Sequence, residues 1–208
     1  MIISLILASA LNATNAFAYE VCLKTADRHP DDALEMAQNA LVDGYDPLAE
    51  HCAAVALVGL KQYNEAARRL DALARKGAAG NAEMRSEIMD QAGNAWLLAG
   101  QPELATASFT AAIALMPNES IYLIDRARAS AALKKWSQAE SDLSTALAAE
   151  PGSVEALTLR SSARRAQRNL QGAMGDITQA LLLEPENVEA LVELPDQTPQ
   201  VGPIKRWV

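Results

Sequence analysis

A repeat with a period of 34 residues is the feature that most constrains the fold of this chain. Pro117, Pro151 and Pro185 mark the period. An alanine stands twelve and five residues before each of them, and an apolar residue stands eight before. These three columns are Ala105, Ala139 and Ala173; Phe109, Leu143 and Ile177; and Ala112, Ala146 and Ala180. With the prolines they make four columns in phase over three copies, which indicates an internal structural repeat.

Composition and proline placement predict that the repeating unit is a pair of helices. Half of the 208 residues are hydrophobic but only 4% are aromatic, so alanine and leucine, both strong helix formers, must build the core. Proline cannot continue a helix and therefore ends each copy at a fixed place. Turns are predicted near residues 99–102, 134–136 and 167–169. Since one helix pair cannot bury its apolar face alone, we expect the pairs to stack into an all-α solenoid.

The copy over residues 86–119 resembles the tetratricopeptide repeat family. Gly93 and Trp96 match the small and the aromatic column of the first helix, and Ala105, Phe109 and Pro117 match later columns. The match is incomplete, because other columns carry residues that depart from the family pattern: Met89, Ala92, Ala127, Ser130, Ser161 and Arg164. The resemblance implies a right-handed superhelix of about five antiparallel helix pairs with a short C-terminal cap helix.

The repeat register divides the chain into units. Weaker matches extend the repeat towards the N-terminus, at Tyr63, Ala66, Leu70 and Leu73 and at Ala33, Ala37 and Ala40. We expect units over residues 19–46, 47–80, 86–119, 120–153 and 154–187, with a cap helix over residues 188–194. Residues 81–85 are predicted to be a small insertion between units. Three prolines and a glycine in the last fourteen residues, 195–208, predict an extended tail.

Residues 1–18 differ in kind from the rest of the chain. They contain no charged side chain, and an apolar run over residues 2–11 is followed by a polar stretch and an Ala-Phe-Ala site at residues 16–18. This order is typical of a cleaved secretory signal, although no lysine or arginine precedes the run. We expect export to a bacterial periplasm or to the medium, with Tyr19 as the first mature residue. A first amphipathic helix of the fold is the alternative, and no later segment is apolar enough to span a membrane.

Charge and composition argue against several classes of function. The net charge of −8 and the pI near 4.8 disfavour nucleic acid as a partner, because no basic stripe opposes the overall repulsion. The chain has only two histidines and no glycine-rich phosphate loop, and its carboxylates are scattered along helix surfaces. We therefore expect no enzyme and no cofactor. Regular helix pairs with alanine cores are also expected to leave no deep pocket that would shift a pKa.

Cys22 and Cys52 are the only cysteines, and both fall on predicted first helices of adjacent units. In an exported protein an even count suggests a disulfide, whereas two buried free thiols are the alternative. His29 and His51 bring the number of possible zinc ligands to four, but His51 and Cys52 are consecutive and diverge by about 100° on a helix. We expect no metal site, with His29 in a turn and His51 on a helix surface.

Two arginine–aspartate pairs recur with the repeat. Arg126 and Asp142, and likewise Arg160 and Asp176, stand 16 residues apart on the two predicted helices of one unit. In the preceding unit both columns are uncharged, so the two charges appear or vanish together. This pattern predicts ion pairs within each unit, since buried charges usually need a partner. Contact of the arginines with a ligand is the alternative.

The first helices of a curved stack are expected to line a concave groove. The repeat register assigns to its lining Glu87, Asp90, Asn94, Leu98, Ile121, Ile124, Arg128, Glu155, Thr158, Ser162 and Arg165. Some members of the family clamp a peptide's terminal carboxylate with Lys, Asn and Arg at set positions of this groove. Only Asn94 matches here, while the other positions hold Asp90, Asp125, Glu155 and Leu159, so that clamp is predicted to be absent.

The resemblance implies a non-enzymatic protein–protein interaction module that binds a peptide or protein partner in the groove. The alternative is an assembly or scaffold factor of the cell envelope, which would associate through the ends of the solenoid or through the C-terminal tail.

Overall fold

The computed structural model describes residues 19–42, 44–76 and 80–193. Within these ranges every regular element is a helix, which confirms the all-α prediction. The predicted signal over residues 1–18, the predicted tail over residues 195–208 and residue 194 of the cap lie outside the described residues.

The described helices form five consecutive pairs and a short final helix. The pairs are α1 (19–28) with α2 (Pro30–Leu41), α3 (Pro47–Gly59) with α4 (Tyr63–Arg75), α5 (Ala82–Leu98) with α6 (Pro102–Leu115), α7 (Ser120–Ala132) with α8 (Trp136–Ala149), and α9 (Val154–Ala166) with α10 (Leu170–Leu183). The final helix is α11 (Val188–Glu193). From α2 onward each helix packs against the next along the chain. None of the helices in these ranges has the length and apolarity needed to cross a bilayer.

The turns inside four of the pairs have one geometry but different residues. Gly100 adopts a left-handed conformation with φ of 72°, and Lys61, Lys134 and Arg168 adopt it with φ of 59°, 58° and 67°. In each turn the next amide nitrogen donates to a carbonyl oxygen five residues earlier, at 2.8 to 2.9 Å. This arrangement satisfies carbonyl groups at the end of the first helix. The hairpin geometry is therefore kept even where lysine or arginine replaces glycine.

The second helices of the last three pairs end in the same way, two residues before their prolines, with one extended residue in between. Met116, Glu150 and Glu184 have φ of −132°, −130° and −132° and ψ of 79°, 80° and 88°. A proline excludes the helical conformation of the residue before it, which explains the shared extended geometry. The repeat period is thus fixed by the proline at each boundary.

The helices of the pair α5/α6 meet at Gly93. A Cβ atom at this position would lie 2.4 Å from Cε1 of Phe109, so the ring fills the space that any side chain would need. In the next pair the same columns hold Ala127 and Leu143, which belong to one apolar cluster. A larger residue on the first helix is thus accompanied by a smaller one on the second.

The helix α5 is longer than its counterparts. It has 17 residues, whereas α7 and α9 have 13 each. Residues 82–85, which belong to the predicted insertion between units, form an extra helical turn at the start of α5. The physical reason is the Asn81 cap, whose side chain accepts a hydrogen bond from the Met84 amide at 2.9 Å and starts the helix early.

The first helices face the concave side of the stack. They contact one another directly, α5 with α7 and α7 with α9. A stack of helix pairs curves towards the side on which neighbouring helices are closest. The groove is therefore formed by α5, α7 and α9, with α1 and α3 continuing it towards the N-terminus.

Candidate binding groove

The residues predicted to line the groove lie on α5, α7 and α9, but they differ in accessibility. Leu98 and Ile121 are its exposed apolar members, with exposed fractions of 57% and 42%. Ile124 and Thr158 are only 3% and 6% exposed, so they belong to the interior and offer no surface to a partner. Of the remaining polar members, Glu87 and Arg165 are exposed, and Asp90, Asn94, Arg128, Glu155 and Ser162 are half-buried.

Two carboxyl groups meet at the centre of the groove, Asp90 from α5 and Asp125 from α7. The Asn94 side-chain amide donates to Oδ2 of Asp90 at 3.1 Å and to Oδ2 of Asp125 at 3.3 Å, so it bridges both groups. Oδ1 of Asp90 is buried and has no hydrogen-bond partner among the described residues. Burial and, after it, the charge of Asp125 raise the pKa of Asp90 to about 7. The Asp90 carboxyl is therefore only partly ionised at neutral pH.

Arg128 neutralises only part of this charge. Its guanidinium forms ion pairs with Asp125 on the same helix and with Glu155 on α9, so its charge is already matched. Within the described ranges no ion pair includes Glu87 or Asp90. The half of the groove that α5 forms is thus acidic, and it repels a carboxylate rather than binding one.

A pocket of about 200 Å³ lies beside this acidic half, at the N-terminal ends of α3 and α5. We call it the α5 pocket; it is lined by Tyr19, Pro47, Leu48, His51, Leu73, Gly80, Met84 and Ile88. The expectation that the repeats leave no deep pocket is therefore wrong. Its physical origin is the extra turn of α5, which places Met84 where α7 and α9, each one turn shorter, have no counterpart.

A chain of hydrogen bonds joins α1, α3 and α5 at the α5 pocket. The Tyr19 hydroxyl lies 2.7 Å from Nδ1 of His51, and Nε2 of His51 lies 2.7 Å from Oε1 of Gln91. Because Oε1 can only accept, Nε2 carries the hydrogen and Nδ1 accepts from the tyrosine. Burial lowers the pKa of His51 and favours this neutral form. The prediction that His51 is a surface residue is wrong, because its side chain lies between neighbouring first helices.

The two predicted arginine–aspartate pairs lie inside the helix pairs. Arg126 donates from Nε to Oδ2 of Asp142 at 2.9 Å and from Nη2 to Oδ1 at 2.7 Å, and its Nη1 contacts Thr110 Oγ1 at 3.3 Å. Arg160 makes the same bidentate contact with Asp176 at 3.1 and 2.7 Å. The hydrogen bonds to Asp142 raise the pKa of Arg126. These guanidinium groups therefore connect helices, and their donors point away from the groove centre.

Cys22 on α1 and Cys52 on α3 form a disulfide, with Cα atoms 6.2 Å apart. It lies in a cluster made otherwise of small residues, among them Ala26, Ala33 and Ala53. Alanines bury little apolar area, so the covalent bond secures a contact that packing alone holds weakly. Within the described ranges no group of histidine, cysteine and carboxylate side chains is arranged to hold a metal ion.

Solved structures share this architecture. No protein-family model and no curated protein matches the chain. The TPR domain of Arabidopsis OM64 is 35% identical, with 55% of this chain covering 93% of that one at a TM-score of 0.53. The first TPR of Spaghetti (RPAP3), bound to the HSP90 peptide SRMEEVD, is 31% identical, with 54% of this chain covering 89% of that one at a TM-score of 0.53. MamA from Desulfovibrio magneticus RS-1 is 18% identical and shares the fold, with 83% of this chain covering 96% of that one at a TM-score of 0.70.

These similarities agree with the features built into the chain itself. The proline columns, the helix pairs and the glycine–aromatic contact at Gly93 all fit one repeat pattern. Two repeat domains of known structure are more than 30% identical to the chain over nearly their whole length. The resemblance found in the sequence is thereby confirmed, and the chain belongs to the tetratricopeptide repeat family.

Proposed function

We propose that this protein is an exported, non-enzymatic interaction module that binds a peptide or protein segment in the groove of α5, α7 and α9. The observation that carries the proposal is a concave surface that exposes two apolar side chains, Leu98 at the C-terminal end of α5 and Ile121 at the N-terminal end of α7, together with the polar groups of Asn94 and Arg128. A bound segment can bury side chains against the first pair and form hydrogen bonds with the second. Structures of similar repeat domains contain HSP90 and HSP70 peptides, which supports a peptide as the occupant.

The groove proposal is tested with peptides selected from a random library displayed on phage. Asn94→Ala combined with Arg128→Ala is expected to weaken the selected peptides at least about tenfold, since both side chains project from the groove centre. Gln138→Ala, an exposed position on α8, is the matched control and leaves affinity unchanged. Equal affinity of the groove variant and the control, measured by fluorescence anisotropy, would show that the peptides bind elsewhere.

Export is supported by two independent features. Residues 1–18 have the composition of a secretory signal, and disulfides such as that of Cys22 and Cys52 persist in oxidising compartments. The protein isolated from the producing cells is therefore expected to begin at Tyr19 and to contain no thiol that reacts with an alkylating agent before reduction. An intact mass that begins at Met1 contradicts export, and alkylation without reduction contradicts an oxidised pair.

A second candidate function, assembly of an envelope complex through the end of the solenoid, is supported by one apolar surface. The last helices expose Leu182, Leu183, Val188, Leu191 and Val192. Terminal repeats of solenoids usually carry a polar outer face. Val188→Glu combined with Val192→Glu is expected to abolish any self-association seen by sedimentation, while the groove variant leaves it unchanged.

A further inference from the structure

We propose that the groove selects a basic peptide segment, whose aliphatic or aromatic side chain enters the α5 pocket and whose nearby lysine or arginine lies over Glu87 and Asp90. This inference rests on the proposed function of the groove and specifies the chemistry of its partner.

The α5 pocket has the size and polarity for one apolar side chain. Its volume is about 200 Å³, and an apolar cavity of about 150 Å³ is large enough for benzene. Leu48 and Met84 are exposed at the pocket, so a side chain placed there would remove apolar surface from water. The hydrogen-bond chain from α1 to α5 holds the surrounding helices in place, so binding needs little reorganisation.

The surface next to the α5 pocket carries negative charge that no ion pair among the described residues neutralises. Glu87 is exposed and lies on α5 between the pocket residues Met84 and Ile88. Its negative charge reaches Tyr19 in the pocket lining: burial, and then the charges of Glu20 and Glu87, raise the pKa of Tyr19. Asp90 follows Glu87 by three residues, on the same side of the helix. A cationic side chain is therefore the complementary group at this position.

The helix geometry also sets the spacing between anchor and cation. The pocket residues Met84 and Ile88 precede Asp90 by six and two positions, which corresponds to about 3 to 9 Å along the axis of α5. An extended peptide advances about 3.3 Å per residue. The basic residue is therefore expected about one to three positions from the apolar anchor.

The proposal distinguishes this groove from those of the similar domains with known ligands. The peptides SRMEEVD and SGPTIEEVD in those structures carry glutamates and a C-terminal aspartate. Here Asp90, Asp125 and Glu87 lie in the groove, and the guanidinium of Arg128 is paired with Asp125 and Glu155. An acidic peptide would therefore meet like charge, whereas a basic one would not.

The test begins with the disulfide-bonded protein from Tyr19 onward and a random peptide library displayed on phage. The selected sequences are expected to share an apolar residue followed or preceded by lysine or arginine at the derived spacing. A synthetic, fluorescein-labelled member is then compared with two versions of itself, one with the anchor changed to alanine and one with the basic residue changed to glutamate. Each change is expected to weaken binding at least about tenfold in fluorescence anisotropy.

Variants of the protein test which of its side chains contact the basic residue and the apolar anchor of the peptide. Glu87→Lys is expected to remove the preference for the basic residue and retain the preference for the anchor. Glu35→Lys on α2, also an exposed helical glutamate, is the matched control and changes neither. Met84→Trp fills the pocket and is expected to remove the preference for the anchor; if circular dichroism shows that it does not fold, the anchor-to-alanine peptide decides the same point.

The outcomes separate this inference from the groove proposal. Selected peptides that are acidic and lose affinity in the variant with Asn94→Ala and Arg128→Ala overturn the inference but support the groove. Selected peptides that are insensitive to that variant, to Glu87→Lys and to Met84→Trp overturn both. Self-association that Glu87→Lys and Met84→Trp abolish would assign the pocket to a second copy of the chain, which also overturns the inference.

Discussion

The pairs α5/α6 and α7/α8 have the same hairpin geometry but are held together by different contacts. In α5/α6 the ring of Phe109 packs on Gly93, and no charged pair joins the two helices. In α7/α8 the apolar contact is smaller, and the bidentate pair of Arg126 and Asp142 is added. The comparison shows that an aromatic ring on glycine and an ion pair are alternative ways to join two helices at one spacing.

The source of the carboxylate that accepts hydrogen bonds from these helices differs as well. The pair α5/α6 receives Asp71 from the preceding helix α4, whose Oδ2 accepts from Trp96 Nε1 and whose Oδ1 accepts from Ser108 Oγ, both at 2.9 Å. The pair α7/α8 supplies its own, Asp142. A repeat that lacks its internal ion pair is therefore joined more closely to its neighbour, which is how a solenoid distributes stability between units and their interfaces.

The largest loss of stability is expected from a substitution at Gly93. Gly93→Ala places a Cβ atom 2.4 Å from Cε1 and 2.7 Å from Cδ1 of Phe109. We expect the free energy of unfolding, measured by urea denaturation, to fall by about 3 kcal/mol, since neither the ring nor the helix can move without disturbing the next unit.

A second substitution tests whether the clash with Phe109 causes this loss of stability. Gly93→Ala combined with Phe109→Leu recreates the alanine and leucine of α7/α8, and it is expected to recover at least about half of the loss. A double variant that is no more stable than Gly93→Ala would show that the defect lies in α5 itself and not in its contact with the ring.

The ion pair of α7/α8 gives the next largest effect. Asp142→Ala leaves the partly buried guanidinium of Arg126 without its carboxylate, and we expect a loss of about 2 kcal/mol in urea denaturation. Replacing both residues by Arg126→Met and Asp142→Leu is expected to restore stability close to that of the natural protein, because no unpaired charge remains.

In α5/α6 the same column holds Ser108, and Ser108→Ala is expected to cost only about 1 kcal/mol. Equal losses for Asp142→Ala and Ser108→Ala would contradict the distinction between the two pairs.

The features that repeat could be predicted from the sequence, and the features that occur once could not. The helix ends follow from proline chemistry at Pro117, Pro151 and Pro185, and a spacing of 16 residues across a hairpin suffices to set Arg126 opposite Asp142. The α5 pocket depends on an extra turn that has no second copy to compare with.

Contacts between units could not be predicted from the repeat pattern either. His51 and Gln91 are 40 positions apart and Asp90 and Asp125 are 35 apart, neither of which is the repeat period of 34. These pairs are set by how neighbouring first helices are rotated against each other, and packing of the whole stack decides that rotation. The contacts of the candidate site that join neighbouring units could therefore be identified only from the structure.

The smallest of the three effects concerns Asp90, which, unlike Asp142, forms no ion pair with any of the described residues. The pKa of Asp90 rises from 3.8 to about 7 on folding, because of burial and then the charge of Asp125. Between these values the folded state binds more protons than the unfolded state, so this group's contribution to stability is complete below about pH 4 and is lost as the pH rises through 7. Allowing for the solvent around a half-buried carboxyl, we expect stability to fall by about 1 kcal/mol between pH 5 and pH 7 on its account. Asp90→Asn is expected to remove this fall in urea denaturation while Glu35→Gln on α2 retains it, and an unchanged pH dependence in Asp90→Asn would mean that folding does not raise the pKa of Asp90.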